Sequence, residues 1–161
     1  MDRIGQRITP FLWFEHQAEE AVNFYVSVFE NSRINAVKRY GKTGPGKQSP
    51  VMTISFQLAG QQFTALNGGS QFRFNEAVSF VVNCADQQEV DYFWNKLSEG
   101  GQECPCGWLK DRYGVSWQVV PASLGDLLTG DDPESSGRVM KLLMQMNKLD
   151  IVVLENARNA K

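Results

Sequence analysis

The chain has 161 residues, 42% of them hydrophobic, a size that buries a single core without disulfide or metal staples. Its 16 basic and 18 acidic residues give a net charge of −2, which supplies no field to gather nucleic acid or anionic lipid; the expected partner is a small molecule. No apolar run approaches ~20 residues and Met1 to Arg7 lacks a signal-peptide pattern, so no membrane association is expected and the expected location is cytoplasmic.

Ile8 to Glu15 is rich in aromatic and β-branched residues and predicts a strand. The period then changes: Ala21, Phe24, Tyr25 and Val28 recur at three- and four-residue steps, which predicts an amphipathic helix over Ala18 to Glu30 that ends at Asn31-Ser32. Ile34 to Tyr40, Val51 to Leu58 and Gln62 to Leu66 predict three strands, the last two joined by a short turn at Ala59-Gly60-Gln61. The first module, about residues 8–70, is therefore βαβββ.

The pattern restarts with a strand over Ala77 to Cys84 and a helical face at Val90, Phe93, Trp94 and Leu97, with Asp86 and Glu89 at capping-box spacing. A shift of 69 residues lays Glu20 on Glu89, Phe24 on Phe93 and Tyr25 on Trp94, the mark of an internal duplication. Gly100-Gly101 ends this helix, and Gln102 to Lys110 and Val115 to Val120 predict strands around the turn Asp111-Arg112-Tyr113-Gly114. The second module, about 76–121, is expected to be one strand short or irregular near Pro105. A tail over about 122–161 carries a short helix at Ala122 to Leu128, another opened by Asp132-Pro133 with Val139, Leu142, Leu143 and Met146 on one face, and a last one at Ile151 to Ala157 capped by Asp150. The fold class is α+β in a single domain over residues 1–161.

Several motifs suggest chemistry and fail on it. Gly41-Lys42-Thr43-Gly44-Pro45-Gly46-Lys47-Gln48 nearly matches a phosphate loop, but Gln48 stands where a hydroxyl would hold magnesium and Pro50 blocks the helix that should follow; a glycine-rich excursion or flap is expected. His16 is the sole histidine, so any Ser-His or Cys-His arrangement must use it, and nothing places a nucleophile beside it. Cys84, Cys104 and Cys106 read as free thiols, and no structural zinc is expected from Cys104-Pro105-Cys106 with so few further ligands. Glu19 and Glu20 suit a first helical turn, and Asp131, Asp132 and Glu134 suit a helix start better than a cation site. Trp13, Trp108 and Trp117 fall on strands, as core residues or as the lining of a sheet face.

The duplicated module, with Leu12 to Tyr25 (LWFEHQAEEAVNFY), Leu66 to Gly69 (LNGG), Val78 to Cys84 (VSFVVNC) and Cys106 to Pro121 (CGWLKDRYGVSWQVVP), resembles the PhnB-like family of the vicinal-oxygen-chelate superfamily. Its members carry the label 3-demethylubiquinone-9 3-methyltransferase, and the superfamily includes glyoxalases, bleomycin- and fosfomycin-resistance proteins and extradiol dioxygenases. The resemblance implies two βαβββ modules forming an open, curled mixed sheet around a pocket, and a homodimer. In metal-using relatives the ligands come from the first and last strands of each module. Here those places hold Thr9, Pro10 and Phe11, then Phe63 to Asn67, then Val78 to Val82 with Ser79 as the polar member, then Gln118; this leaves Asn67 and Gln118, too weak a set for a catalytic metal. The expectation is a protein without cofactor that binds a small aromatic or amphipathic molecule on a face lined by Trp13, Phe14, Thr53, Ser55, Asn67, Ser79, Trp108 and Gln118. The alternative is a superfamily enzyme: an isomerase, lyase, dioxygenase or transferase.

Overall fold

Strand β1 (Phe11–Phe14) is followed by helix α1 (Ala18–Val28) and strands β2 (Arg33–Arg39), β3 (Val51–Leu58) and β4 (Gln61–Asn67). These come from a computed structural model that describes residues 5–41, 49–129 and 132–160. The glycine-rich excursion, apart from Gly41, and Asp131 of the acidic cluster lie outside the described residues. The four strands form one mixed sheet in the order β1-β4-β3-β2, with β1 parallel to β4 and the other pairs antiparallel. α1 packs on one face and buries Ala18, Ala21, Val22, Tyr25 and Val28. The sheet answers with Leu12, Ile54, Phe56 and Ala65. Alternation explains the pattern, because residues two apart on a strand share a face and these are the even members of β1 and β3 and the odd members of β4.

The second half repeats the plan. Strand β5 (Phe80–Cys84), helix α2 (Gln87–Ser98) and strands β6 (Gln102–Glu103), β7 (Trp108–Lys110) and β8 (Ser116–Pro121) make a sheet in the order β5-β8-β7-β6, again with its outer first strand parallel to its last. The first turn of α2 is capped as its sequence predicts, with Asp86 Oδ1 accepting from Glu89 N at 2.9 Å, while Glu89 Oε2 reaches one residue beyond the cap and accepts from Ala85 N at 2.7 Å. The helices align at a shift of 69, whereas the buried faces of the first strands align at 70, Leu12 with Val82 and Phe14 with Cys84. One more residue separates β1 from α1 than β5 from α2, and it accounts for the difference.

Of the two alternatives for the second module, the irregular one near Pro105 holds: no strand is missing, and the predicted single strand over Gln102 to Lys110 is corrected to two antiparallel strands. Pro105 cannot donate to a ladder, and the left-handed backbone of Cys106 (φ 65°) and Gly107 (φ 78°) reverses the chain. β5 starts at Phe80 rather than Ala77, and β1 at Phe11 rather than Ile8.

The tail holds α3 (Leu124–Leu128), α4 (Pro133–Leu143) and α5 (Ile151–Asn159), and the caps of the latter two are the predicted ones: Asp132 accepts from Glu134 N and Asp150 from Val153 N. Val139, Leu143, Leu149, Leu154 and Ala157 form a core of their own, against which Cys106, Val120 and Leu124 pack. The chain divides into two compact units, one ending at Phe74 and the other starting at Asn75 with the tail included. None of the described helices is long and apolar enough to cross a membrane.

Candidate functional site

Each sheet has a face turned away from its helix, and strand register determines what that face carries. In the first unit Trp13 lies beside Leu66 and Leu66 beside Thr53; one row along, Phe11, Thr64 and Ser55 lie in line. Leu66, Thr53, Thr64 and Ser55 are half-buried, and Phe11 is 59% exposed. Trp13 is held rigidly at the end of this face. Its indole Nε1 donates to the Gly69 carbonyl at 2.9 Å, and Phe72 meets the ring edge-on with centroids 5.0 Å apart. A Cβ on Gly68 would overlap the six-membered ring of the indole, so glycine is what allows the β4 exit to lie against Trp13.

Phe14 and Asn67 belong to the other face. Phe14 is 2% exposed in the core under α1. The Asn67 side chain joins three elements: Oδ1 accepts from Ala18 N at 2.8 Å, at the start of α1, and Nδ2 donates to the Val51 carbonyl at 3.1 Å. The backbone carbonyl of Asn67 also accepts from the Tyr40 hydroxyl at 2.7 Å. α1 has no side-chain cap from Gln17, and Asn67 supplies from β4 the acceptor that an N-cap would have given.

In the second unit the corresponding row is Val81, Gln118 and Trp108, and the next is Ser116 with Lys110. Val81 is 49% exposed, while Gln118 and Trp108 are half-buried. Gln118 Nε2 donates to Ser79 Oγ at 3.0 Å, joining two of the predicted residues. Lys110 Nζ is paired with Glu76, whose carboxyl is held below its ordinary range chiefly by that bond. Ser116 belongs to this face and was not foreseen; its signal was the two-residue step to Gln118 on one strand.

Of the eight residues predicted to line a pocket, Trp13, Thr53 and Ser55 share one face of the first sheet and Trp108 and Gln118 one face of the second, with Ser79 bonded to Gln118. Trp117 is core: it is 4% exposed and its Nε1 donates to Asp111 Oδ2 at 2.8 Å. His16 is exposed, and Glu19 pairs with Arg39 at 3.2 Å. Cys84 is buried while Cys104 and Cys106 are half-buried, all three as free thiols.

A catalytic metal on the helix-free faces would need imidazole or carboxylate donors at the strand positions that face away from the helices. Those positions carry Phe11, Thr64, Leu66, Val81 and Gln118, and the amide of Asn67 is on the other face. Among the described residues no three His, Cys, Asp or Glu come together in a metal-holding group. This donor set does not fit a catalytic transition metal. Nor do the strand-to-helix turns fit a nucleoside cofactor: Glu15-His16-Gln17 and Ala85-Asp86 contain no glycine to let a backbone approach phosphate.

Residues 6–120 match the family model described as 3-demethylubiquinone-9 3-methyltransferase. Among solved structures, a PhnB protein from Bacillus cereus is 40% identical over 73% of this chain and 100% of that one, with a TM-score of 0.67. Protein PA1353 from Pseudomonas aeruginosa is 21% identical over 73% of this chain and 98% of its own, with a TM-score of 0.61. The fosfomycin resistance protein FosX from Listeria monocytogenes, solved with Mn(II) and sulfate, is 18% identical over 78% of this chain and 99% of its own, with a TM-score of 0.52. The last two likenesses concern fold alone. No curated protein matches the chain.

Proposed function

The chain belongs to the 3-demethylubiquinone-9 3-methyltransferase family, the PhnB-like branch of the vicinal-oxygen-chelate superfamily, and from that premise we propose that it binds a small aromatic or amphipathic molecule without a catalytic metal. The observation that carries this is the make-up of the two helix-free sheet faces. Each sets a half-buried indole, Trp13 or Trp108, among apolar side chains with a few hydroxyls or an amide between them. Apolar walls with sparse polar groups are what a small-molecule site needs, and an indole fixed in place loses little freedom when a ring stacks on it. Trp13 has that fixity from Gly69 and Phe72. The donor chemistry that a metal-dependent enzyme would need is lacking at the same positions, which supports a metal-free site over a metal-dependent one. The setting proposed with this function is a homodimer in the cytoplasm, and sedimentation velocity measures the subunit number directly.

The test is a titration of the neutral fluorophore N-phenyl-1-naphthylamine in buffer containing a chelator. Saturable binding that quenches tryptophan emission is expected, and Trp13→Ala or Trp108→Ala should weaken it by about tenfold, the loss of one stacked aromatic wall. Binding that appears only when Mn(II) or Zn(II) is added, or no saturable binding at all, sinks the proposal.

A further inference from the structure

Ser116 is 2% exposed, yet its hydroxyl has no hydrogen-bond partner. Buried polar atoms are nearly always paired, so an orphan of this kind marks a place where a water or a ligand atom belongs. Two residues further along β8, on the same face, Gln118 donates through Nε2 to Ser79 Oγ. That bond leaves the Gln118 carbonyl oxygen as an acceptor and the Ser79 hydroxyl hydrogen as a donor. Were the amide turned over, Ser79 would donate to it and keep an acceptor, while the amide nitrogen kept its donors. Either way the trio Ser79, Ser116 and Gln118 offers donors and acceptors together.

The surroundings decide the charge of what could sit there. Lys110 lies directly across from Ser116, but its ammonium is matched by Glu76, so this pair brings no net positive charge to hold an anion. Trp108 and Val81 flank Gln118 on either side and are apolar.

We infer that Ser116, Gln118 and Ser79 form a subsite for a neutral group that both donates and accepts hydrogen bonds, a primary carboxamide or an alcohol, carried on an apolar body that rests on Trp108 and Val81. This rests on the binding function proposed above and adds the polar end of its ligand. A hydroxyl that already lies buried without a partner gains a bond on binding and gives up little water to do so, which favours a group able to reach it.

Isothermal titration calorimetry with three matched probes tests it: naphthalene-2-carboxamide, its N,N-dimethyl amide and naphthalene-2-carboxylate. The carboxamide is expected to bind at least about tenfold more tightly than either of the others, and that preference should fall to about threefold or less in Ser116→Ala and in Gln118→Leu, as expected for losing a buried bond. Ser116→Ala removes an unpartnered hydroxyl and is expected to keep the parent melting temperature; Ser79→Ala is the second variant if Gln118→Leu is unstable. Equal binding of the three probes, a preference for the carboxylate, or a carboxamide preference that survives all the variants overturns the inference while the binding function stands. If none of the probes binds and N-phenyl-1-naphthylamine does not bind either, both fall together.

Discussion

Single side chains in this fold are decided by what surrounds them rather than by their type. Asp111 is 3% exposed, an unusual place for a carboxylate, and it is tolerated because its oxygens accept from Tyr113 N, Val115 N and Trp117 Nε1. It closes the β7-β8 turn and fixes a core indole at once. Cys84 shows the opposite case, a thiol with little to stabilise its charged form. Burial pushes it up to about 11, and the carboxylates of Glu89 and Asp86 add to the effect. At pH 8 only about one molecule in a thousand would carry the Cys84 thiolate. Iodoacetamide should therefore alkylate half-buried Cys104 and Cys106 in the native protein and reach Cys84 only after unfolding, as peptide mass mapping would show. The same shift sets a pH dependence. The folded form holds this proton more tightly than the unfolded thiol at 9.0, so its contribution to stability is complete below pH 9 and is lost as the pH rises towards 11. Urea unfolding at pH 8 and pH 10.5 should show that loss in the parent chain and a smaller one in Cys84→Ala.

At the scale of elements, the corner between α2 and β6 shows how two neighbouring glycines do different work. Gly100 has φ 73°, and a Cβ there would meet only the Arg112 side chain at van der Waals distance. Gly101 has no positive φ, yet its Cβ would overlap the Lys110 carbonyl oxygen in the adjacent strand. Alanine at Gly100 should cost about 1 kcal/mol, the penalty of a left-handed residue, whereas alanine at Gly101 should cost about 2–3 kcal/mol by prising β6 from β7. Thermal melts that rank the two variants the other way would refute this assignment. The contrast also explains which parts of the fold were legible in advance. The helices and the duplication were readable because Ala21, Phe24, Tyr25 and Val28, and then Val90, Trp94 and Leu97, write the 3.6-residue period into the chain. Pro105 marks in the sequence where Gln102 to Lys110 becomes irregular, but the reversal itself, made by Cys106 and Gly107, leaves no period to detect. Asn67 reads in the sequence as a polar residue at a ligand position, but its partners, Ala18 and Val51, are 49 and 16 residues away and become neighbours only through folding.

At the scale of the whole molecule, the tail completes the second unit. The segment before α5 is stitched to it twice over: Cys106 N and Gly107 N donate to the carbonyls of Met146 and Asn147, and the Gln87 amide both donates to the Leu149 carbonyl and accepts from Ile151 N. Lys148 adds an ion pair with Asp91 at 2.8 Å. These bonds bring Leu149 and Leu154, both fully buried, into a core with Val139 and Leu143 that shares no member with the packing under α1. Truncation inside that core leaves a cavity, so Leu154→Ala should lower stability by about 2–4 kcal/mol. The loss should also be local. Native-state hydrogen exchange of Leu154→Ala is expected to accelerate at α4, β7 and β8 while amides of β3 and β4 keep the parent rates, because the first unit has its own core and its own ladder. If β3 and β4 accelerate in step with β8, the loss is not local and the assignment of a separate core to each unit fails.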